Sequence, residues 1–367
     1  MGDIAPTLQQ YLNLFEELLQ APVYGLPQVV KEAQLKPIIE LLHDHHQFQC
    51  KEYNNITHQF DGPAKAIDDL PFLAVRLFKQ LKLSSIALQE VFRVLQSSGT
   101  TSQTPATLFL DRATSARQSK VLVKIMQQSI GKQRLPMLII DSPAVLDKKN
   151  QYSARGAGIQ GLAFFGRDLT YALDENMQPN WPVIEAFVER YGKQPVLIFG
   201  FTFMVWCYFL QGLVERGKAL SLPQGILLHS GGWKKLEDQK VDNEKFKKTL
   251  ENLCGISQCY NFYGMAEQVG SVFVECEDGH LHCPVFADVI IRDPYSLKIC
   301  GNGQQGLVQA ISALPTSYPG HSILTEDLGT VLGVDDCTCG RKGKYFSIHG
   351  RLPKTEIRGC SDTHNAS

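Results

Sequence analysis

The chain has 367 residues, of which 44% are apolar and 20% charged. That length exceeds a lone binding module, and that composition suits a packed core and excludes a disordered chain. Lys plus Arg is 36 and Asp plus Glu is 37, a net charge of −1, so there is no electrostatic case for nucleic acid or an anionic membrane face. The ten cysteines are too few for a disulfide scaffold at this length. The opening MGDIAPTLQQ lacks the basic and apolar regions of a signal peptide. Residues 1–85 are predicted helical, because Leu8, Tyr11, Leu12, Leu14, Phe15, Leu18 and Leu19 recur near a 3.6 period and 29–46 repeats that character. His43, His45 and His46 are then expected at a solvated helix end. From Val91 the pattern alternates. Apolar runs at 137–140, 161–165, 196–201 and 226–228 are predicted strands, with helices at 113–130, 181–191 and 243–253 between them. Such βα alternation predicts an α/β sheet with much parallel pairing. The apolar stretch 196–214 is nearly long enough to span a bilayer. Gly200, Thr202 and Gln211 interrupt it and no basic cluster flanks it, so a buried strand turning into a buried helix is expected at 202–217. After Met265 the helical pattern stops. Runs at 272–275, 287–291, 307–311 and 331–334 predict a β-rich part. The expected organisation is a helical region 1–85, an α/β core 86–270, a β-rich subdomain 271–350, and a hinge and tail 351–367, in a cytoplasmic protein with reduced thiols.

Four strings carry chemistry. Ser97, Ser98, Gly99, Thr100, Thr101 and Ser102 place hydroxyl and backbone N–H donors in one short loop, as a phosphate needs. It is not a P-loop, since the Gly-Lys-[Ser/Thr] ending is absent, and a plain polar turn is the alternative. Asn261-Phe262-Tyr263-Gly264-Met265-Ala266-Glu267 offers an aromatic to stack on a purine, a glycine for close approach and a carboxylate for Mg²⁺; the alternative is a strand-to-helix turn. Thr325-Glu326-Asp327-Leu328-Gly329 places an acidic pair before an expected turn, where an Asp can accept ribose hydroxyls. Gly350-Arg351-Leu352-Pro353-Lys354 follows.

The order of these strings over residues 90–360 resembles the adenylate-forming superfamily of acyl-CoA synthetases, adenylation domains and luciferases. The resemblance implies an α/β adenylation core in which Ser97–Ser102 hold the ATP phosphates and Tyr263 stacks on adenine beside Gly264. It further implies Mg²⁺ on Glu267, ribose on Asp327 and Arg351, and Ser230, Gly231 and Gly232 as the loop beside adenine, with Lys354 at the hinge. Two departures stand out. Gln103-Thr104-Pro105-Ala106 replaces the usual Gly-x-Pro-Lys ending, and only 13 residues follow Lys354, so the usual C-terminal domain is expected to be missing. In its place is Arg358-Gly359-Cys360-Ser361-Asp362, a thiol on a polar tail. This is similar to the acyl-protein synthetases of the bacterial bioluminescence fatty-acid reductase complex. That resemblance implies that a carboxylic acid is activated as acyl-AMP and passed to Cys360 as a thioester for a reductase or acyltransferase partner. A free-standing ligase serving CoA or a carrier protein and a non-enzymatic nucleotide-binding or assembly subunit are the alternatives.

Cys276, His282 and Cys283, with Cys337 and Cys339, supply N/S ligands in Gly-rich turns. Cys-x5-His plus Cys-x-Cys can build a tetrahedral site, and phenylacetate-CoA ligases of the same superfamily carry a similar Cys-x-Cys-Gly-Arg string. The expected set is Cys276, His282, Cys337 and Cys339 around a structural zinc ion, with Cys283 spare; unligated turn cysteines are the alternative. Cys207 is expected in the core. Lys124, Lys132 and Arg134 are cations with no assigned role.

Overall fold

The computed structural model describes residues 6–60, 64–96, 105–146, 154–233 and 240–352. Strands in chain order are β1 (Leu73–Ala74), β2 (Arg93–Gln96), β3 (Thr107–Leu110), β4 (Leu135–Ile139), β5 (Gly166–Tyr171), β6 (Val196–Phe201) and β7 (Gly225–Ser230). They continue with β8 (Gln258–Tyr263), β9 (Phe273–Glu275), β10 (Leu281–His282), β11 (Ala287–Arg292), β12 (Gln305–Ser312), β13 (Ser322–Val334) and β14 (Lys344–Arg351). Strands β4, β6 and β7 are apolar along almost their whole length and buried, as strands covered on both faces must be. They pair in parallel in the order β5-β4-β6-β7-β8. From β8 the same sheet continues antiparallel through β9, β10, β14, β13 and β12 to β11. The hairpin β2–β3 stands apart; its connection, which carries Ser97–Ser102, lies outside the described residues, as do Lys354 and Cys360.

Helices cover the parallel half. Three of them begin where a side chain can satisfy orphan N–H groups: Asp111 accepts from Thr114 N at the start of Arg112–Ile130, Asn180 from Val183 N before Trp181–Tyr191, and Asp242 from Lys245 N before Asn243–Cys254. Gly255, at φ +69°, closes the last in the left-handed region. The helix at 202–215 contains a wide π turn at Val205–Leu210. Among the described residues no helix is long and apolar enough to cross a membrane.

The N-terminal helices pack against the far end of the chain. Helix α1 (Pro6–Gln20) buries Tyr11, Phe15, Leu18 and Leu19, and the Tyr11 hydroxyl donates to Ala313 O at 2.8 Å. Helix α2 (Gln28–Gln49) has no cap of its own; the Asp335 carboxylate accepts its first N–H at 3.0 Å. Lys31, 1% exposed, lies 3.3 Å from the buried Asp288. Burial alone would raise the Asp288 carboxyl, but Lys31 and Lys344 hold it at about 2.

Three local expectations are corrected. The run 161–165 is not a strand: it ends the helix Ala154–Ala163 and delivers Phe165 to the core, and the strand begins only at Gly166. Residues 325–329 are not a turn but the middle of the 13-residue β13. His43 and His46 are not at a solvated end but buried. His43 Nδ1 is 2.8 Å from Tyr53 Oη, and His46 bonds Ser85 Oγ at 2.7 Å and Pro315 O at 3.0 Å. The His46 ring stacks on His321 at 5.1 Å. Burial first, and the neighbouring imidazoles second, hold both His46 and His321 well below the ordinary histidine range, so these two rings are neutral.

Candidate active site

The parallel strands end together. Phe201 on β6, Ser230 on β7 and Phe262 on β8 are register neighbours, and ligands in open α/β sheets bind beyond such carboxyl ends. The chain then turns at Gly231, whose φ is +84° and where an added Cβ would sit 3.1 Å from the Phe201 ring; only glycine fits this turn. Tyr263, the last residue of β8, packs beside Phe273 and Phe346. Its hydroxyl donates to Asp327 Oδ2 at 2.7 Å, while Arg351 Nε donates to Asp327 Oδ1 at 3.3 Å. Asp327 and Arg351 face one another across β13 and β14, so the sheet register itself brings these side chains together from strands β8, β13 and β14. Burial, then the adjacent Asp327, pushes the Tyr263 phenol well above its ordinary value, which keeps it a neutral donor.

Glu267 lies in the short turn Ala266–Gln268 and is 6% exposed. Gln268 pins that turn by donating to Ala310 O and Gly320 O, both at 2.9 Å. Burial raises the Glu267 carboxyl above the usual carboxylate range, with Lys79 and Arg351 acting in the opposite sense. A buried carboxylate disfavoured as a lone anion is well matched to a bound cation. Asn261, which opens the Asn261–Glu267 string, and His229, which no motif singled out, belong here too. Asn261 Oδ1 and His229 Nε2 are both buried without a hydrogen-bond partner among the described residues, and they are neighbours across β7 and β8. A histidine ending the apolar Gly225–Ser230 strand was the available signal. Lys124 is spoken for by Leu19 O and Ala21 O, and Arg134 by Gly166 O.

Away from the strand ends, Cys276, His282, Cys337 and Cys339 converge, with one ligand atom of each lying within 4.8 Å of the others. Cys276 and His282 flank a hairpin of β9 and β10, and the two other thiols come from the turn between β13 and β14. His282 Nε2 is 3.4 Å from Cys339 Sγ. Burial pushes the Cys339 thiol up to about 12 and raises the Cys276 thiol. Cys283, the spare, is turned toward Lys31, Asp288 and Lys344 and pushed up to about 12 by burial.

A family model described as "Acyl-protein synthetase, LuxE" matches residues 28–367. The chain belongs to the LuxE family. It is therefore an AMP-forming ligase by family. Among curated proteins it resembles a long-chain-fatty-acid–luciferin-component ligase of Vibrio harveyi, 26% identical over 168 residues, covering 44% of this chain and 41% of that one. It also resembles a protein of the same name from Aliivibrio fischeri, 23% identical over 344 residues, covering 90% and 87%. Among solved structures, an open conformation of 2-hydroxyisobutyryl-CoA ligase in complex with 2-HIB-AMP and CoA superposes with a TM-score of 0.68 at 16% identity, over 92% of this chain and 78% of that one. The same ligase in its postadenylation state gives 0.67 at 15% identity, over 90% and 69%. At these identities the likeness establishes the fold, that of the adenylate-forming ligases, which this LuxE-family chain shares.

Proposed function

We propose that this LuxE-family chain activates a long-chain fatty acid with ATP and passes the acyl group to its own Cys360. The convergence of Tyr263, Asp327 and Arg351 beyond the parallel strand ends carries this reading. The arrangement matches a nucleoside: the Tyr263 ring for the base, the Asp327 carboxylate for the ribose hydroxyls, and Asn261 Oδ1 as an acceptor for the adenine amine. Ser230–Gly231–Gly232 borders the base, and Ser97–Ser102 serve the phosphates. Glu267 fits a magnesium ion through its oxygens, and the ion supplies charge neutralisation on the phosphates when bound. A carboxylate oxygen of the acid attacks the α-phosphorus, and pyrophosphate leaves with the electrons of the broken P–O bond. The Cys360 thiolate then attacks the acyl carbon and AMP leaves, giving a thioester that a reductase or acyltransferase partner can receive. The test is exchange of labelled pyrophosphate into ATP by the full chain over fatty acids of graded length. Exchange that requires a long-chain acid supports the reading; exchange with none of them defeats it.

The same reading assigns a structural zinc ion to Cys276, His282, Cys337 and Cys339. Three thiolates and an imidazole fill a tetrahedral site and leave no open position. Such an ion ties the β9–β10 hairpin to the β13–β14 turn and so steadies the strands that hold Asp327 and Arg351. Purified protein should contain one zinc per chain. Cys337→Ser should lose it and melt roughly 3–4 °C lower, about 2–3 kcal/mol for a chain of this size. Equal metal content and equal melting in the two proteins would refute the assignment.

A further inference from the structure

His229 occupies an unusual position. It ends an apolar strand immediately before the Ser230–Gly231–Gly232 turn, with Gly200 of β6 on one side and Asn261 of β8 on the other. It is 2% exposed. Its Nδ1 is 2.9 Å from Thr202 Oγ1, the first turn of the helix at 202–215. Its ring lies 4.7 Å from Phe246, which stacks on Trp206 at 6.1 Å, and Trp206 in turn meets Trp233 edge-on at 6.1 Å. Nε2 has no partner among the described residues, a costly state for a buried polar atom. The facing helix carries the π turn at Val205–Leu210, a distortion concentrated at functional sites. His229 therefore stands where the polar strand ends meet an aromatic wall, next to but separate from the Tyr263–Asp327–Arg351 group.

We infer that His229 Nε2 is the hydrogen-bond donor that receives the carboxyl group of the acid substrate, with the acid's apolar chain lying against the Trp206–Trp233 side. This deepens the adenylation reading and rests on it. We assign the tautomer in which Thr202 Oγ1–H donates to Nδ1, which leaves the proton on Nε2. Burial first, then the nearby Lys247, lowers the imidazole to about 3, so the ring is a neutral donor at any working pH. A neutral donor orients a carboxylate without neutralising it, so the oxygen that must attack phosphorus remains nucleophilic. His229 is thus a positioning residue for the acid and takes no part in proton transfer.

The test compares wild type, His229→Leu and His229→Gln as full chains. Sodium tetradecanoate is titrated against tryptophan fluorescence, and acid-dependent ATP–pyrophosphate exchange is followed in parallel. His229→Leu keeps the packing against Phe246 and removes the donor. It should weaken tetradecanoate binding by about tenfold to a hundredfold, the range for a lost hydrogen bond to a charged group, with the KM for ATP within about twofold. His229→Gln, whose amide N–H reaches the place of Nε2, should recover most of that loss. Unchanged tetradecanoate affinity in His229→Leu overturns the inference. So does equal weakening toward acid and ATP, which marks a structural or nucleotide role, and so does a wild type that does not bind the acid. Binding that depends on His229 without any exchange would instead sink the adenylation reading and leave the acid site standing.

Discussion

A Cys360→Ser chain supplied with ATP and labelled fatty acid should carry no acyl label, yet should release pyrophosphate and hold acyl-AMP to the same extent as wild type. The argument is one of nucleophile chemistry. Thiols are intrinsically strong nucleophiles toward acyl groups, whereas a serine hydroxyl needs an adjacent base to attack an acyl carbon. In the proposed mechanism adenylation draws on Tyr263, Glu267, Asp327 and the hydroxyl loop, none of which this variant alters, so the two half-reactions should separate. The readout is label on the protein after gel filtration, set beside pyrophosphate release. Undiminished protein label in Cys360→Ser would move the acyl group to another residue. Undiminished label on a carrier or CoA with none on wild-type protein would favour the free-standing ligase.

Asp327→Ala should reduce kcat/KM for ATP by about a hundredfold to a thousandfold, roughly 3–4 kcal/mol. Two contributions add. The ribose loses a charged acceptor, about 1.5–3 kcal/mol, and the buried Tyr263 hydroxyl loses the partner it holds at 2.7 Å, about 1–3 kcal/mol. Asp327→Asn retains an acceptor for Tyr263 and loses only the charge, so it should fall between wild type and Asp327→Ala. Direct binding of tetradecanoate, read by tryptophan fluorescence, should be unaffected by either variant, since Asp327 stands on the nucleotide side. Wild-type kinetics in Asp327→Ala would remove the nucleotide from this group of residues.

Much of the parallel half was legible because β4, β6 and β7 are buried on both faces and so read as unbroken apolar runs. Strand β5 was not, because it is the sheet edge. Its Arg167, Asp168 and Leu169 are exposed, and the apolar Leu162–Phe165 stretch beside it belongs to a helix end. The misassigned turn at 325–329 has a different cause. Gly329 looks like turn punctuation, but it lies within a strand where a Cβ would come within 2.7 Å of Val308 Cγ2 and 2.8 Å of Ser347 O. It is there for close approach between strands, which local pattern does not reveal. The buried His46 was missed for a related reason: two of its partners, Pro315 and His321, are some 270 residues away. The grouping of Cys276, His282, Cys337 and Cys339 was legible because paired residues on tight turns leave a spacing signature, and the structure brings that same set together. The convergence of Tyr263 with Asp327 and Arg351 depends on strand pairing and had no counterpart in local spacing.

The cap that Asp335 provides for α2 has a bearing on how the chain is made. Gln28 and Asp335 are separated by 307 positions, and the Tyr11 bond to Ala313 spans nearly as many. A ribosome adding about 5–20 residues per second needs roughly 15–60 s to travel from the first partner to the second. Through that interval α1 and α2 exist with their apolar stripes uncovered and, for α2, without its terminal acceptor. Helices this far from their packing surface gain little from propensity alone, so the earliest-made segment is among the last to be secured.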